Sequence, residues 1–235
     1  CQAGADSRDD LSATARANPL SPPGREGEPV DVDLGLHMEY LNSISEADHA
    51  FTLEAFVELI WCDPRLAYDP AATGETRRIY LEDVAVRKIG EIWWPDLYFV
   101  NQAGPPVIER QELIIFPDGT VVHEERVRVT LKARLDLTKF PFDRQKLEIE
   151  IESFAWPSHE MVLHLDTDKI GLATVFNTPP WQVVSHHAEI RNMREIRDRD
   201  EFSEFVMEVE TARISMPFVY RLLIPLILVV MASWS

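Results

Sequence analysis

Apolar residues recur at every second position along most of this chain. Val32, Leu34, Leu36 and Met38 alternate with Asp31, Asp33, Gly35 and His37, and Phe51, Leu53, Ala55, Val57 and Leu59 alternate with Thr52, Glu54, Phe56 and Glu58. A period of two sends the two sets to opposite faces of a strand. Val127 to Leu137 continues the pattern, and so does Leu147 to Ile151, where Lys146, Glu148, Glu150 and Glu152 take the polar side. Further strands are expected at Leu97 to Val100, Glu112 to Phe116, Thr120 to Val129, Met161 to Leu165, Trp181 to Ile190 and Phe202 to Ile214. Turns separate them at Asn42 to Asp48, Asp63-Pro64-Arg65, Asp69-Pro70 and Pro117-Asp118-Gly119, the last with glycine supplying a positive φ. No long helix is expected before Met216, and only a short one within Asp69 to Val86. Many short strands with regular turns predict an all-β sandwich of about ten strands.

The pattern fails at both ends. Residues 1–28 hold Gly, Ser, Ala, Pro and charges without periodicity and predict a disordered tail. Residues 216–235 read MPFVYRLLIPLILVVMASWS with Arg221 as their single charge, close to the roughly 20 apolar residues that cross a bilayer. Pro225 argues against a central strand, and Phe218, Tyr220 and Arg221 suit a headgroup boundary. The run predicts a transmembrane helix cut short by the chain end, with lipid around it. Residues 29–215 are then one sandwich between tail and helix. Within it, Phe140-Pro141-Phe142-Asp143-Arg144-Gln145 forms a loop too apolar for water, which needs a surface to dock on; the membrane offers one.

Composition narrows the chemistry. A net charge of −17 over 235 residues argues against nucleic acid and is compatible with gathering cations. The 46% hydrophobic content is enough for a packed core. Of the two cysteines, Cys1 is terminal and Cys62 follows a tryptophan, so no structural disulfide is expected. Cys1 has the position of a lipid-bearing cysteine, but with no signal sequence before it an arbitrary start is the plainer expectation. Phosphate loops and nucleophile elbows are missing. His159 and His164 stand five apart in a strand-like stretch and fail the zinc-protease spacing, and His186-His187 point to opposite faces. Glu148, Glu150 and Glu152 read as a solvated strand face rather than acid–base machinery. No enzyme, catalytic residue, metal site or cofactor is expected.

Read in order, Trp61-x-Asp63-x-Arg65-Leu66, Ile92-Trp93-Trp94-Pro95-Asp96 with Asn101, Phe116-Pro117-Asp118-Gly119, Phe140-Pro141-Phe142-Asp143-x-Gln145 and Arg213 shortly before an apolar run with Pro225 and Ser233-Trp234 form a series. It resembles the extracellular domain of pentameric ligand-gated ion channels, the Cys-loop receptor family, continuing into the first transmembrane helix. The resemblance spans about Pro29 to Ser235. Ala133 and Leu147 stand where animal members carry the bridging cysteines, so the chain is similar to the prokaryotic branch, which lacks that disulfide. Trp61 to Pro70 resembles proton-gated bacterial members; Phe140 to Gln145 and Ala232 to Ser235 resemble amine-gated ones.

The resemblance implies an immunoglobulin-like sandwich, a homopentamer in the bacterial inner membrane, and a small agonist bound between neighbouring subunits, the sandwich facing the periplasm or cell exterior. Its principal face would come from Trp94 to Asn101, Glu152 to Trp156 and about Ile190 to Phe205. Glu152 and Phe154 share a strand face by parity, and a carboxylate beside a ring suits an ammonium ion. Phe202 resembles the aromatic of the third loop. Tyr98 stands where amine-gated members carry an acid, and Asn192 where they carry an aromatic. Phe56 and His37 are the candidates on the complementary face. Glu46, Asp143 and Arg213 resemble an electrostatic triad that couples the domain to the pore, with Phe140, Pro141 and Phe142 in the coupling loop. The expected function is a subunit of a ligand-gated, cation-selective channel. Proton gating is the first alternative, and a non-channel binding protein with the same sandwich the second.

Overall fold

The computed structural model describes residues 1, 20–24, 27–173, 177–194 and 200–234. Twelve strands realise the alternation. They are β1 (Val30–Ser45), β2 (Ala50–Cys62), β3 (Arg78–Leu81), β4 (Leu97–Phe99), β5 (Val107–Ile115), β6 (Thr120–Lys132), β7 (Arg144–Ser153), β8 (Met161–Leu165), β9 (Gly171–Leu172), β10 (Asn177–Thr178), β11 (Trp181–Arg194) and β12 (Glu201–Arg213). One sheet runs β3-β5-β6-β2-β1-β8 with β9 also pairing β1; the other runs β10-β11-β12-β7-β4. Pairing is antiparallel except where β1 meets β8 and β9.

The two sheets meet face to face. Leu34, Leu36, Leu53 and Leu131 of the first and Leu147, Ile149, Phe205 and Met207 of the second are fully buried. Each such side chain contributes about 1.5–3 kcal/mol of transfer free energy. Trp93 closes one end, edge-on to Trp61 at 6.1 Å and tilted against Trp156 at 5.8 Å. Of two short helices, α1 (Pro70–Thr73) lies within the stretch 69–86 predicted to hold one, and α2 (Asp83–Ile89) begins there and runs three residues beyond it. Asp69 caps α1 through the Ala71 amide at 2.8 Å.

Three expectations need correction. The turn placed at Asn42 to Asp48 begins later, because β1 shifts register between Leu41 and Ser43 and keeps pairing to Ser45. The strand placed at Val127 to Leu137 leaves the ladder at Lys132; the next amide, Ala133, bonds the His49 carbonyl at 2.8 Å. Cys1 and Cys62, expected to stay apart, form a disulfide with their Cα atoms 5.4 Å apart. A separation of 61 residues gave no hint of it, since sequence spacing cannot report how close two backbones come. Most of the tail, residues 2–19 and 25–26, lies outside the described residues.

The terminal helix α3 (Met216–Ser233) is long and apolar enough to cross a membrane, with a mean hydropathy of 2.0. Pro225 has no N–H to give the Arg221 carbonyl, and the helix widens into a π-turn over Val219–Leu223 just before it.

Candidate functional site

Two side-chain groups stand out, one at each end of the β7–β12 ladder. The Phe140 to Asp143 loop carries the chain from β6 in one sheet to β7 in the other. Its peptide before Pro141 is cis. Asp143 points inward, where it is 3% exposed. Arg213 at the end of β12 donates from Nε to Asp143 Oδ1 at 2.7 Å and from Nη2 to Oδ2 at 3.0 Å. Gln145 adds a third hydrogen bond to Oδ2 at 2.7 Å. Burial pushes the Asp143 carboxyl up, but the bonds from Arg213 and Gln145 outweigh it and hold it below the usual carboxylate range. Arg213 also meets Glu46 at 2.8 Å. Burial would lower the guanidinium pKa; Asp143 and Glu46 overcome that and raise it.

Rings enclose the same guanidinium. Its carbon lies 4.1 Å from the Trp181 centroid, 5.0 Å from Phe140 and 5.5 Å from Phe218. Phe140 also meets Phe218 edge-on at 5.2 Å, so the loop touches the first turn of α3 directly. Phe142, by contrast, is exposed. The structure thus gathers Glu46, Phe140, Asp143 and Arg213 into one cluster at the root of α3.

At the other end, Tyr98 on β4, Glu152 on β7 and Glu204 on β12 are register partners, so their side chains share one face. The Tyr98 hydroxyl donates a short hydrogen bond to Glu152 Oε1. Phe154 stands edge-on to the Tyr98 ring at 6.0 Å and is 76% exposed. Backbone contacts hold it out. The Phe154 amide bonds the Asp96 carbonyl at 2.9 Å, and Ser153 Oγ bonds the Pro95 carbonyl at 2.7 Å. The Trp156 indole bonds the Trp94 carbonyl at 3.0 Å, joining the two loops that supply these residues. Glu152, Tyr98 and Phe154 therefore form one group, a buried carboxylate beside two rings.

The other candidates stand apart from it. Asn101 spends its amide on the backbone, donating to Glu148 O at 2.7 Å and Lys132 O at 3.2 Å. Phe202 is buried opposite Met193, and Asn192 is exposed opposite Ser203. Residues 195–199 of the expected third loop lie outside the described residues. His37 and Phe56 are register partners on the other sheet, with Arg126 next in the row and its guanidinium carbon 5.7 Å from the Phe56 centroid. Within one chain these two do not reach the Tyr98 group.

Sequence reasoning missed Glu204. Burial, then repulsion from Glu150 and Glu152, pushes its carboxyl up to about 7. Only the register of β12 against β7 could have exposed it, since its own alternation looks ordinary. It also missed a pair on β6, buried His123 and half-buried Glu125. His123 is pushed down to about 4 and Glu125 up to about 7, each by burial.

Comparisons with known proteins fit this arrangement. The chain is 26% identical over 215 residues to a proton-gated ion channel of Gloeobacter violaceus, covering 91% of this chain and 58% of that protein. It is 24% identical over 220 residues to a gamma-aminobutyric acid receptor subunit beta of Lymnaea stagnalis, covering 90% and 44%. It is 33% identical over 150 residues to a gamma-aminobutyric acid receptor subunit theta of Mus musculus, covering 62% and 22%. The chain thus spans 58% or less of the length of each of these relatives. The family model described as the neurotransmitter-gated ion-channel ligand binding domain matches residues 11–215, and the chain belongs to that family, one of ion channels and not of enzymes.

Proposed function

We propose that the chain is the ligand-binding part of a subunit of a prokaryotic pentameric ligand-gated channel. Residues 29–215 form its sandwich on the periplasmic or outer side of the inner membrane, residues 1–28 a tail, and residues 216–235 the start of its first transmembrane helix. Five copies form a ring, so that His37 and Phe56 of one subunit approach the Tyr98 group of its neighbour. The observation that carries the ligand reading is the Tyr98–Glu152–Phe154 group, whose Glu152 carboxylate is buried and whose Phe154 ring is exposed. A cation entering there gains a counter-charge and ring faces, a pairing worth up to about 2 kcal/mol per ring when desolvated. The agonist is a small amine, and the net charge of −17 favours cation passage. The Glu46–Asp143–Arg213 cluster, touching α3 through Phe218, links agonist binding to the pore by favouring one of two states of the ring.

Thermal shift of the full-length protein with small primary amines tests this. Amines should stabilise wild type and leave Glu152→Gln unmoved; equal shifts in both would refute the assigned site. Proton gating is the second reading, supported by the Gloeobacter violaceus relative and by a Glu204 carboxyl near neutrality. Currents across pH 4 to 8 without ligand decide it: no pH response removes proton gating. If the gene continues past Ser235 without further apolar spans, the non-channel binding protein replaces both.

A further inference from the structure

We infer that Glu204 is a second anionic anchor of the Tyr98–Glu152–Phe154 site, and that a primary ammonium ligand is held between Glu152 and Glu204, any proton on Glu204 passing to solvent. This rests on the ligand reading above and names its chemistry more closely. Glu204 and Glu152 are directly opposed on β12 and β7 and are 5% and 4% exposed. Directly opposed residues carry Cβ atoms about 5 Å apart, so two glutamates can converge on one small cation.

The two carboxylates differ in how they are satisfied. Glu152 accepts from the Tyr98 hydroxyl. Among the described residues, Glu204 accepts no hydrogen bond and joins no ion pair. A carboxylate with little water and no donor is poorly stabilised, and the fold offers it little relief. From β7 it faces Glu148, Glu150 and Glu152; from β4, Tyr98; on its own strand Glu208 follows on the same face. From β11, the opposed residue is Arg191, whose charge pulls the Glu204 carboxyl down but whose guanidinium pairs with Glu189 at 2.5 Å, with His187 further along the strand. Burial and the like charges keep Glu204 about half protonated near pH 7. A protonated Glu204 is a poor partner for a cation. An arriving ammonium supplies the missing counter-charge, so the Glu204 O–H ionises and its proton passes to water. The ammonium then has three N–H donors to divide between the two carboxylates. A quaternary ammonium has none and cannot bridge them.

Isothermal titration of butylammonium into the full-length protein in lipid nanodiscs, at pH 6, 7 and 8 and in two buffers of different ionisation enthalpy, tests the proposal. Wild type should bind about tenfold more tightly at pH 8 than at pH 6, the ratio of ionised fractions for a group titrating midway, and release about half a proton per cation at pH 7. Glu204→Gln should bind with no pH slope and no proton release, while Glu204→Asp, which restores a carboxyl, should recover both. A slope and proton count in Glu204→Gln equal to wild type would overturn the role of Glu204. If butylammonium fails to bind wild type at pH 8, or binds Glu152→Gln as well as wild type, the ligand reading itself falls.

Discussion

Neutralising Asp143 should cost far more than neutralising Glu46, although both touch the same guanidinium. In Asp143→Asn, one carboxylate oxygen that accepts from Arg213 or Gln145 becomes an NH2 group facing another donor. Two charge-assisted hydrogen bonds of 2.7 and 3.0 Å are then weakened or lost, each worth about 1.5–3 kcal/mol. Arg213, with a side chain 2% exposed, keeps only Glu46. Breaking one partner of a buried pair typically costs about 3–5 kcal/mol, and that is the expected loss. The Glu46 side chain is 39% exposed, so water takes over much of its role and Glu46→Gln should cost about 1 kcal/mol or less. Urea unfolding read by tryptophan fluorescence suits the comparison, because Trp181 stacks 4.1 Å from the guanidinium carbon. Equal losses in the two variants, or a loss under about 1 kcal/mol for Asp143→Asn, would refute the reasoning from burial. Acid gives a second reading: because the folded Asp143 carboxyl lies below its usual range, its contribution is present above about pH 4 and lost as pH falls through the folded value.

Other expectations follow from the same geometry. With Glu204 and Glu125 raised to about 7 and His123 lowered to about 4, Glu125 and His123 oppose each other between about pH 4.5 and 6.5, and Glu204 decides the slope. Stability should therefore fall as pH rises from about 4.5 to 7, and Glu204→Gln should match wild type near pH 4.5 and exceed it by about 1–2 kcal/mol at pH 8 once solvent screening is allowed for; a flat wild-type profile in pH-dependent urea titrations would contradict this. Cys62→Ser opens a loop 61 residues long and should lower stability by about 2–4 kcal/mol in denaturant unfolding under oxidising conditions; no change would show that the disulfide constrains nothing. Asn101→Ala should cost about 1 kcal/mol by removing its bonds to the Glu148 and Lys132 carbonyls, whereas Phe154→Ala should leave stability within about 0.5 kcal/mol and weaken amine binding; the reverse pattern would exchange their roles.

The strands were readable because each buries one face against the other sheet, and burial writes itself into the sequence with period two. Met161–Leu165 is legible to the residue for this reason. The Glu46–Asp143–Arg213 cluster was anticipated only through the family resemblance, which marks the positions of its members. What stayed hidden depends on register or on chain approach. Glu54 looks like an outward polar residue of β2 yet is 7% exposed, because Arg126, Arg128 and Asn42 from neighbouring strands close over it. Glu204 is hidden in the same way, with like charges beside it instead of partners.

That register ties the two ends of the site together. In the single ladder of β7 against β12, Glu152 opposes Glu204, and the same antiparallel count nine residues on sets Asp143 against Arg213, whose amide bonds the Asp143 carbonyl at 3.1 Å. Nine residues of strand span about 30 Å. One end of the ladder is a repulsive pair that a cation would relieve; the other is an attractive pair touching the root of α3. Direct electrostatic influence over that distance is screened, with a Debye length of about 8 Å at physiological salt. Stability effects of Glu152→Gln and Asp143→Asn should accordingly add to within about 0.5 kcal/mol. Ligand affinity is the sharper measure. If relief at one end moves the strands at the other, the two ends share a coupling free energy, and coupling is reciprocal. Asp143→Asn should then change ammonium affinity in the full-length protein by about fivefold or more, although Asp143 touches no part of the ligand group. An affinity unchanged by that substitution would mean the ladder holds the two clusters in place without connecting them.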